Sequence, residues 1–80
     1  MDYFVYILYS ASLDAYYKGF TENLEQRLSD HLAGKSTFTS QSKDWIYVYQ
    51  NVFQTKKEAL IEEKRLKKLN RLSIEKLIKG

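Results

Sequence analysis

The chain is 80 residues long, enough for one domain and too short for two, since a domain of this size buries only about 60% of its unfolded surface. Apolar residues at 44%, charged residues at 29% and a net charge of +3 match a folded globular domain and exclude a disordered chain. With no cysteine and one histidine, disulfides, thiolate zinc, a cysteine nucleophile and a histidine-rich metal centre are excluded, so any metal would be held by oxygen.

Tyr3 to Tyr9 is β-branched and aromatic on both alternate faces, Tyr3, Val5, Ile7 and Tyr9 against Phe4, Tyr6 and Leu8. It reads as a central strand covered on both sides. The run is far shorter than the roughly 20 residues of a spanning helix and no basic leader precedes it, so no membrane association or export is expected and the location is cytoplasmic. Ser10 to Asp14 forms a hairpin loop, and Ala15 to Phe20 is the return strand, with Tyr17 and Gly19 on one face. Glycine there permits close approach of another group. Thr21 is the expected cap of a helix buried through Leu24, Leu28 and Leu32 and stopped at Gly34. Lys35 to Asp44 lacks apolar period and reads as an exposed loop.

Trp45 to Phe53 is a third strand, with Trp45, Tyr47 and Tyr49 opposite Ile46 and Val48. Thr55 and Glu58 have capping-box spacing at the start of a second helix that ends near Leu69. Ser73 is the expected cap of a last helix presenting Ile74, Leu77 and Ile78. The order ββαβαα predicts an α/β (α+β layered) domain over residues 1–80, a small three-stranded antiparallel or mixed sheet flanked by helices. Charge is divided along it. Met1 to Gly34 has two basic residues against five acidic; the remainder has eleven against five, which suggests a polyanionic partner.

Phe4-Val5-Tyr6, Tyr17-Lys18-Gly19, then Arg27 and His31 on the next helix, in that order and spacing, resemble the signature of the GIY-YIG nuclease superfamily. The likeness extends through Gly34-Lys35, Trp45, Val48-Tyr49 and Lys57 to Lys64. It is nearest to the small single-domain bacterial members, which are similar to the N-terminal nuclease domain of the excision-repair endonuclease. Phe4 stands where the signature has glycine, Lys18 where it has isoleucine, and Phe20 where some relatives have lysine. The resemblance implies a GIY-YIG fold and a divalent-metal-dependent DNA endonuclease linked to DNA repair or recombination. It assigns Tyr17 as general base, Arg27 as ligand of the scissile phosphate, Tyr6 and His31 as hydrogen-bonding or proton-relay residues, and Glu63 as ligand of one Mg²⁺ or Mn²⁺. Gly19 is its structural glycine. Helical periodicity alone leaves both Glu62 and Glu63 open, with Glu62 nearer the centre of the inner face, and only the resemblance selects Glu63.

Tyr6, Tyr17, Arg27 and Glu63 are expected to converge over one sheet surface. A tyrosine base needs neighbouring cations to act near neutral pH, and a metal held by one carboxylate needs water and phosphate oxygens. Lys56, Lys57, Lys64, Lys67 and Lys68 are the candidate DNA-backbone contacts. So small a domain has little surface for reading bases, and targeting would need a protein partner or added module. The opposing readings are a non-catalytic nucleic-acid-binding module and a protein-interaction domain using the aromatic strands.

Overall fold

A strand that is apolar on both faces must be covered on both, and the chain supplies a helical layer for each. The computed structural model describes residues 2–79. Strands β1 (Tyr3–Ser10), β2 (Ala15–Thr21) and β3 (Ile46–Phe53) alternate with helices α1 (Leu24–Leu32), α2 (Lys56–Lys67) and α3 (Arg71–Lys79) in the order ββαβαα. The sheet is antiparallel throughout with order β2-β1-β3, so the apolar strand is central.

Val5 and Ile7 point to one face and pack with Ala59 and Leu66 of α2 and Ile74 of α3. Tyr6 and Leu8 point to the other and pack with Trp45, while Leu24, Leu28 and Leu32 of α1 close over them. The expected division of β1 into two faces is thus observed, with α1 covering one and α2 and α3 the other. Each fully buried Val, Ile or Leu stabilises the fold by about 1.5–3 kcal/mol.

Four local expectations are corrected. Asn23, not Thr21, caps α1, accepting from the Gln26 amide at 3.1 Å, while the Thr21 hydroxyl bonds the Asn23 backbone. Asn70, not Ser73, caps α3, accepting from the Ser73 amide at 2.9 Å. The alternation of β3 is broken by a bulge: Tyr47 opposes Leu8 while Tyr49 opposes Ile7. The extra residue turns Tyr49 to the α2 face with Val48 and leaves Tyr47 alone with Trp45 on the α1 face.

The fourth correction is the connection from Lys35 to Asp44, which is anchored and not merely exposed. It contains a 3₁₀ turn, Thr39–Gln41, whose Thr39 is completely buried. The Trp45 indole donates to the Thr39 carbonyl at 2.9 Å. The Asp44 carboxylate accepts from Ser10 and Ser12 hydroxyls at 2.5 and 3.1 Å, from the Ser12 amide at 2.8 Å and from the Ser42 hydroxyl. These donors hold the Asp44 carboxyl far below the usual carboxylate range.

Other capping expectations hold. Gly34 sits at φ +80 just beyond α1, where a Cβ would be strained. Thr55 accepts from the Glu58 amide at 3.2 Å, and its hydroxyl donates to the Glu58 carboxylate at 2.9 Å.

Candidate active site

Tyr6 stands at the middle of the central strand, fully buried, beneath α1. Its hydroxyl is shared by two residues one helical turn apart, Arg27 and His31, which the i, i+4 spacing puts on the same side of α1. The Arg27 Nε donates to it at 3.1 Å, and His31 Nε2 lies 2.9 Å away. The other ring nitrogen of His31 is 2.6 Å from the Thr39 hydroxyl. A continuous line of contacts therefore runs from half-buried Arg27 through the buried Tyr6 and His31 to Thr39.

Gly19 makes room for this line. It pairs with Tyr6 across the strands, and a Cβ there would fall 2.5 Å from the Tyr6 ring carbon bearing the hydroxyl. The ring of Tyr47 meets Tyr6 edge-on at 5.4 Å, and its hydroxyl donates to the Leu24 carbonyl at 2.6 Å, tying the start of α1 to the sheet.

Electrostatics follow from the burial. Desolvation pushes the Tyr6 hydroxyl up to about 12 against the opposing pull of Arg27, so Tyr6 is a neutral donor and acceptor. Desolvation, helped by the Arg27 charge and opposed by Asp30, pushes His31 down to about 4, so its ring is neutral at pH 7. Burial weighs against the charge on Arg27, but its hydrogen bond to Tyr6 and the nearby Tyr17 hydroxyl outweigh it and keep the guanidinium charged.

Tyr17 stands on the neighbouring strand, half-buried, its ring edge-on to His31 at 4.9 Å and 6.5 Å from Tyr6. Phe38 stacks on its outer side at 5.9 Å. The cluster of Tyr6, Tyr17, Arg27 and His31 thus presents one half-buried tyrosine and one half-buried guanidinium beside a neutral buried network. Such a surface can hold an anion and exchange a proton.

Glu63 is placed differently from the expectation. It lies on α2, which packs against the face opposite α1, so the two helices do not meet over one sheet surface. The reason is the apolar character of both faces of β1, which demands one helix on each. The Glu63 carboxylate, 20% exposed, pairs with Lys67 at 3.5 Å. Lys67 in turn lines a hollow at the β2 edge with Tyr16, Tyr17, Lys18 and Phe38. The link between Glu63 and Tyr17 therefore passes around the edge strand.

Glu62, which periodicity left open, points toward β3: it binds Arg65 through both oxygens, at 2.6 and 2.7 Å, and receives the Tyr49 hydroxyl at 3.4 Å. Among the described residues no three His, Asp or Glu side chains gather into a metal-binding group. A lone carboxylate fits Mg²⁺ or Mn²⁺ that keeps most of its water and completes its shell with phosphate oxygens; it does not fit a closed protein cage. Lys56, Lys57, Lys64, Lys67 and Lys68 are exposed along α2 and its C-terminal end.

The residues that sequence reasoning passed over are Thr39, Phe38 and Tyr47. Thr39 was hidden in a polar loop, where only the lone Phe38 and the following Trp45 signalled contact with the core. No helix among the described residues is long and apolar enough to cross a membrane.

Comparison with known proteins bears on the family and the fold. The family model described as the GIY-YIG catalytic domain matches residues 2–77. A UPF0213 protein of Staphylococcus haemolyticus is 34% identical over 77 residues, covering 95% of this chain and 93% of that protein. A UPF0213 protein of Oceanobacillus iheyensis is 39% identical over 77 residues, covering 95% and 88%. The solution structure of a UPF0213 protein from Bacillus halodurans superposes with a TM-score of 0.64 at 30% identity, covering 99% of this chain and 84% of that one. UPF0213 designates a sequence family and states no activity.

Proposed function

This chain belongs to the GIY-YIG family, a nuclease superfamily, and from that premise we propose that it is a divalent-metal-dependent DNA endonuclease. The observation that carries the reading is the shared hydroxyl of Tyr6, which fixes Arg27 beside Tyr17. A guanidinium so held has its remaining N–H donors available for a phosphate, and it is charged whatever the pH of the cell.

In the proposed reaction water attacks the scissile phosphorus, Tyr17 as its phenolate accepts the water's proton, and the P–O bond to the leaving strand breaks, the leaving oxygen taking a proton from solvent water. Arg27 holds the phosphate and the charge that develops on it. Tyr6 and neutral His31 orient Arg27 and Tyr17, with Thr39 fixing the far side of the imidazole. Members of the superfamily are generally dependent on a divalent metal, and here Glu63 would hold the ion, Mg²⁺ or Mn²⁺, which supplies positive charge near the leaving oxygen. Lys67 must yield its place on Glu63 for that.

The deciding experiment is cleavage of branched, nicked and single-stranded DNA with Mg²⁺ or Mn²⁺, with Glu63→Gln as control. Metal-dependent turnover that Glu63→Gln abolishes supports the reading. A wild type that binds DNA and cleaves none of the three with either ion sinks it. The pairing of Glu63 with Lys67 on the side opposite α1 favours the second reading, a nucleic-acid-binding module without catalysis. That module would bind DNA equally well as the wild type and as Tyr17→Phe, Arg27→Ala or Glu63→Gln.

A further inference from the structure

The hollow at the outer edge of β2 has a volume of about 250 Å³ and is lined by Tyr16, Tyr17, Lys18, Phe38 and Lys67. That is smaller than most pockets for drug-sized ligands. Alternation along β2 turns Tyr16 toward the α2 side and Tyr17 toward the α1 side, so the hollow wraps around the edge and opens to both faces.

Two features of it are unexplained by packing. Lys18 and Lys67 are brought together there, and burial, reinforced by the charge of Lys67, holds the Lys18 ammonium below its ordinary range. Among the described residues the carboxylate paired with them is Glu63, on Lys67, which leaves the recess positively charged. Beside the lysines, Phe38 is 41% exposed although it stacks on Tyr17, with 20° between the rings, and touches Trp45 at 5.9 Å. A flat aromatic wall held rigid by two neighbours is thus turned outward next to two cations.

We infer that this hollow is a nucleotide subsite, in which Lys18 and Lys67 hold a phosphate group and the Phe38 ring stacks the attached base. Aromatic stacking accepts any base, and two ammonium groups match one phosphate without demanding sequence. The inference rests on the nuclease reading only for its position in a substrate strand, beside the phosphate assigned to Arg27. The binding chemistry stands by itself.

The test is an NMR titration of isotope-labelled protein without divalent cation, using thymidine 5′-monophosphate, thymidine and inorganic phosphate in turn. The nucleotide should shift the amides of Tyr16 to Lys18, Phe38 and Lys67, and bind about tenfold more tightly than either thymidine or phosphate. Phe38→Ala should weaken the nucleotide about tenfold and leave phosphate unchanged, whereas Phe38→Trp should retain nucleotide binding and show that the ring is what matters. Lys18→Met should weaken nucleotide and phosphate together and leave thymidine unchanged. Shifts centred on Arg27, no shifts at the hollow with saturating nucleotide, or wild-type affinity in Phe38→Ala and Lys18→Met would each overturn the inference. No metal is present and no bond is cut, so a failed cleavage assay leaves this result standing, and a failed titration leaves the cleavage result standing.

Discussion

His31 is the residue at which burial and the proposed function meet, because a ring with no solvent must stay neutral to remain between Tyr6 and Thr39. Desolvation first, and the facing Arg27 second, hold it at about 4, with Asp30 pulling the other way. In the unfolded chain the same ring takes its proton near pH 6.5. Between those values the unfolded state binds the proton and the folded state does not, so stability is complete above about pH 6.5 and is lost as pH falls toward 4. The loss is on the order of 2–3 kcal/mol. Asp14, Asp30, Asp44 and Glu62 also have lowered carboxyls, but they act where carboxylates of the unfolded chain titrate, below about pH 4.5. Urea denaturation of wild type and His31→Gln across pH 4.5 to 7 checks this: the wild type should weaken on acidification and the variant should be nearly flat. Gly19 offers a second residue-scale expectation. Gly19→Ala drives a methyl into the Tyr6 ring and should cost about 3 kcal/mol or more. It should also uncouple Arg27 from Tyr6, so that cleavage falls even in molecules that remain folded. The proposed roles of Tyr17 and Arg27 separate by kinetics. Tyr17→Phe should lower turnover by roughly 10² or more with DNA affinity little changed, whereas Arg27→Ala should damage both.

Among the elements, the connection between α1 and β3 is the one whose order depends on a single carboxylate. Asp44 gathers Ser10, Ser12 and Ser42, and the same connection delivers Thr39 to His31. Asp44→Ala should therefore expose residues 35–44 to limited proteolysis while the sheet, read by hydrogen exchange, keeps its protection. Equal protease resistance in variant and wild type would show that Trp45 and Thr39 hold the connection without it. This element was also the least legible in the sequence, since a Ser/Thr-rich stretch without period looks solvated and its anchors come from residues distant in the chain. The strands and helices were legible because β1 is apolar at every position from Tyr3 to Tyr9 and the helices carry leucine at helical spacing. The bulge in β3 was not, because it is a property of pairing with β1 and leaves no mark on β3 alone. Nor could periodicity assign the helices to faces: both faces of β1 are apolar, so either helix fits either face. The place of Glu63 was misjudged for that reason, while Tyr6, Tyr17, Arg27 and His31 needed only strand alternation and an i, i+4 step.

At the scale of the whole molecule, the principal extents of 32 × 28 × 19 Å limit any DNA footprint to about one helical turn. On the proposed reading the exposed lysines of α2 contact phosphates and read no bases. Affinity should fall steeply with salt, with a logarithmic slope of about −3 to −5 and little dependence on sequence; replacing Lys64 and Lys68 should each reduce the slope by about 1. Binding measured from low to moderate salt on duplexes of different sequence checks it, and near-indifference to salt would point to the protein-interaction reading. The central position of β1 also has a kinetic consequence. β1 precedes both of its partners in the chain: β2 returns after a short turn, whereas β3 begins at Ile46. The hairpin can close within microseconds, yet its most hydrophobic strand keeps one edge bare until the chain as far as Phe53 has been made and docked. A nascent chain halted before that point carries an open template for pairing with its neighbours. Refolding should accordingly lose yield as concentration rises, and a chaperone that shields that edge during synthesis should restore it.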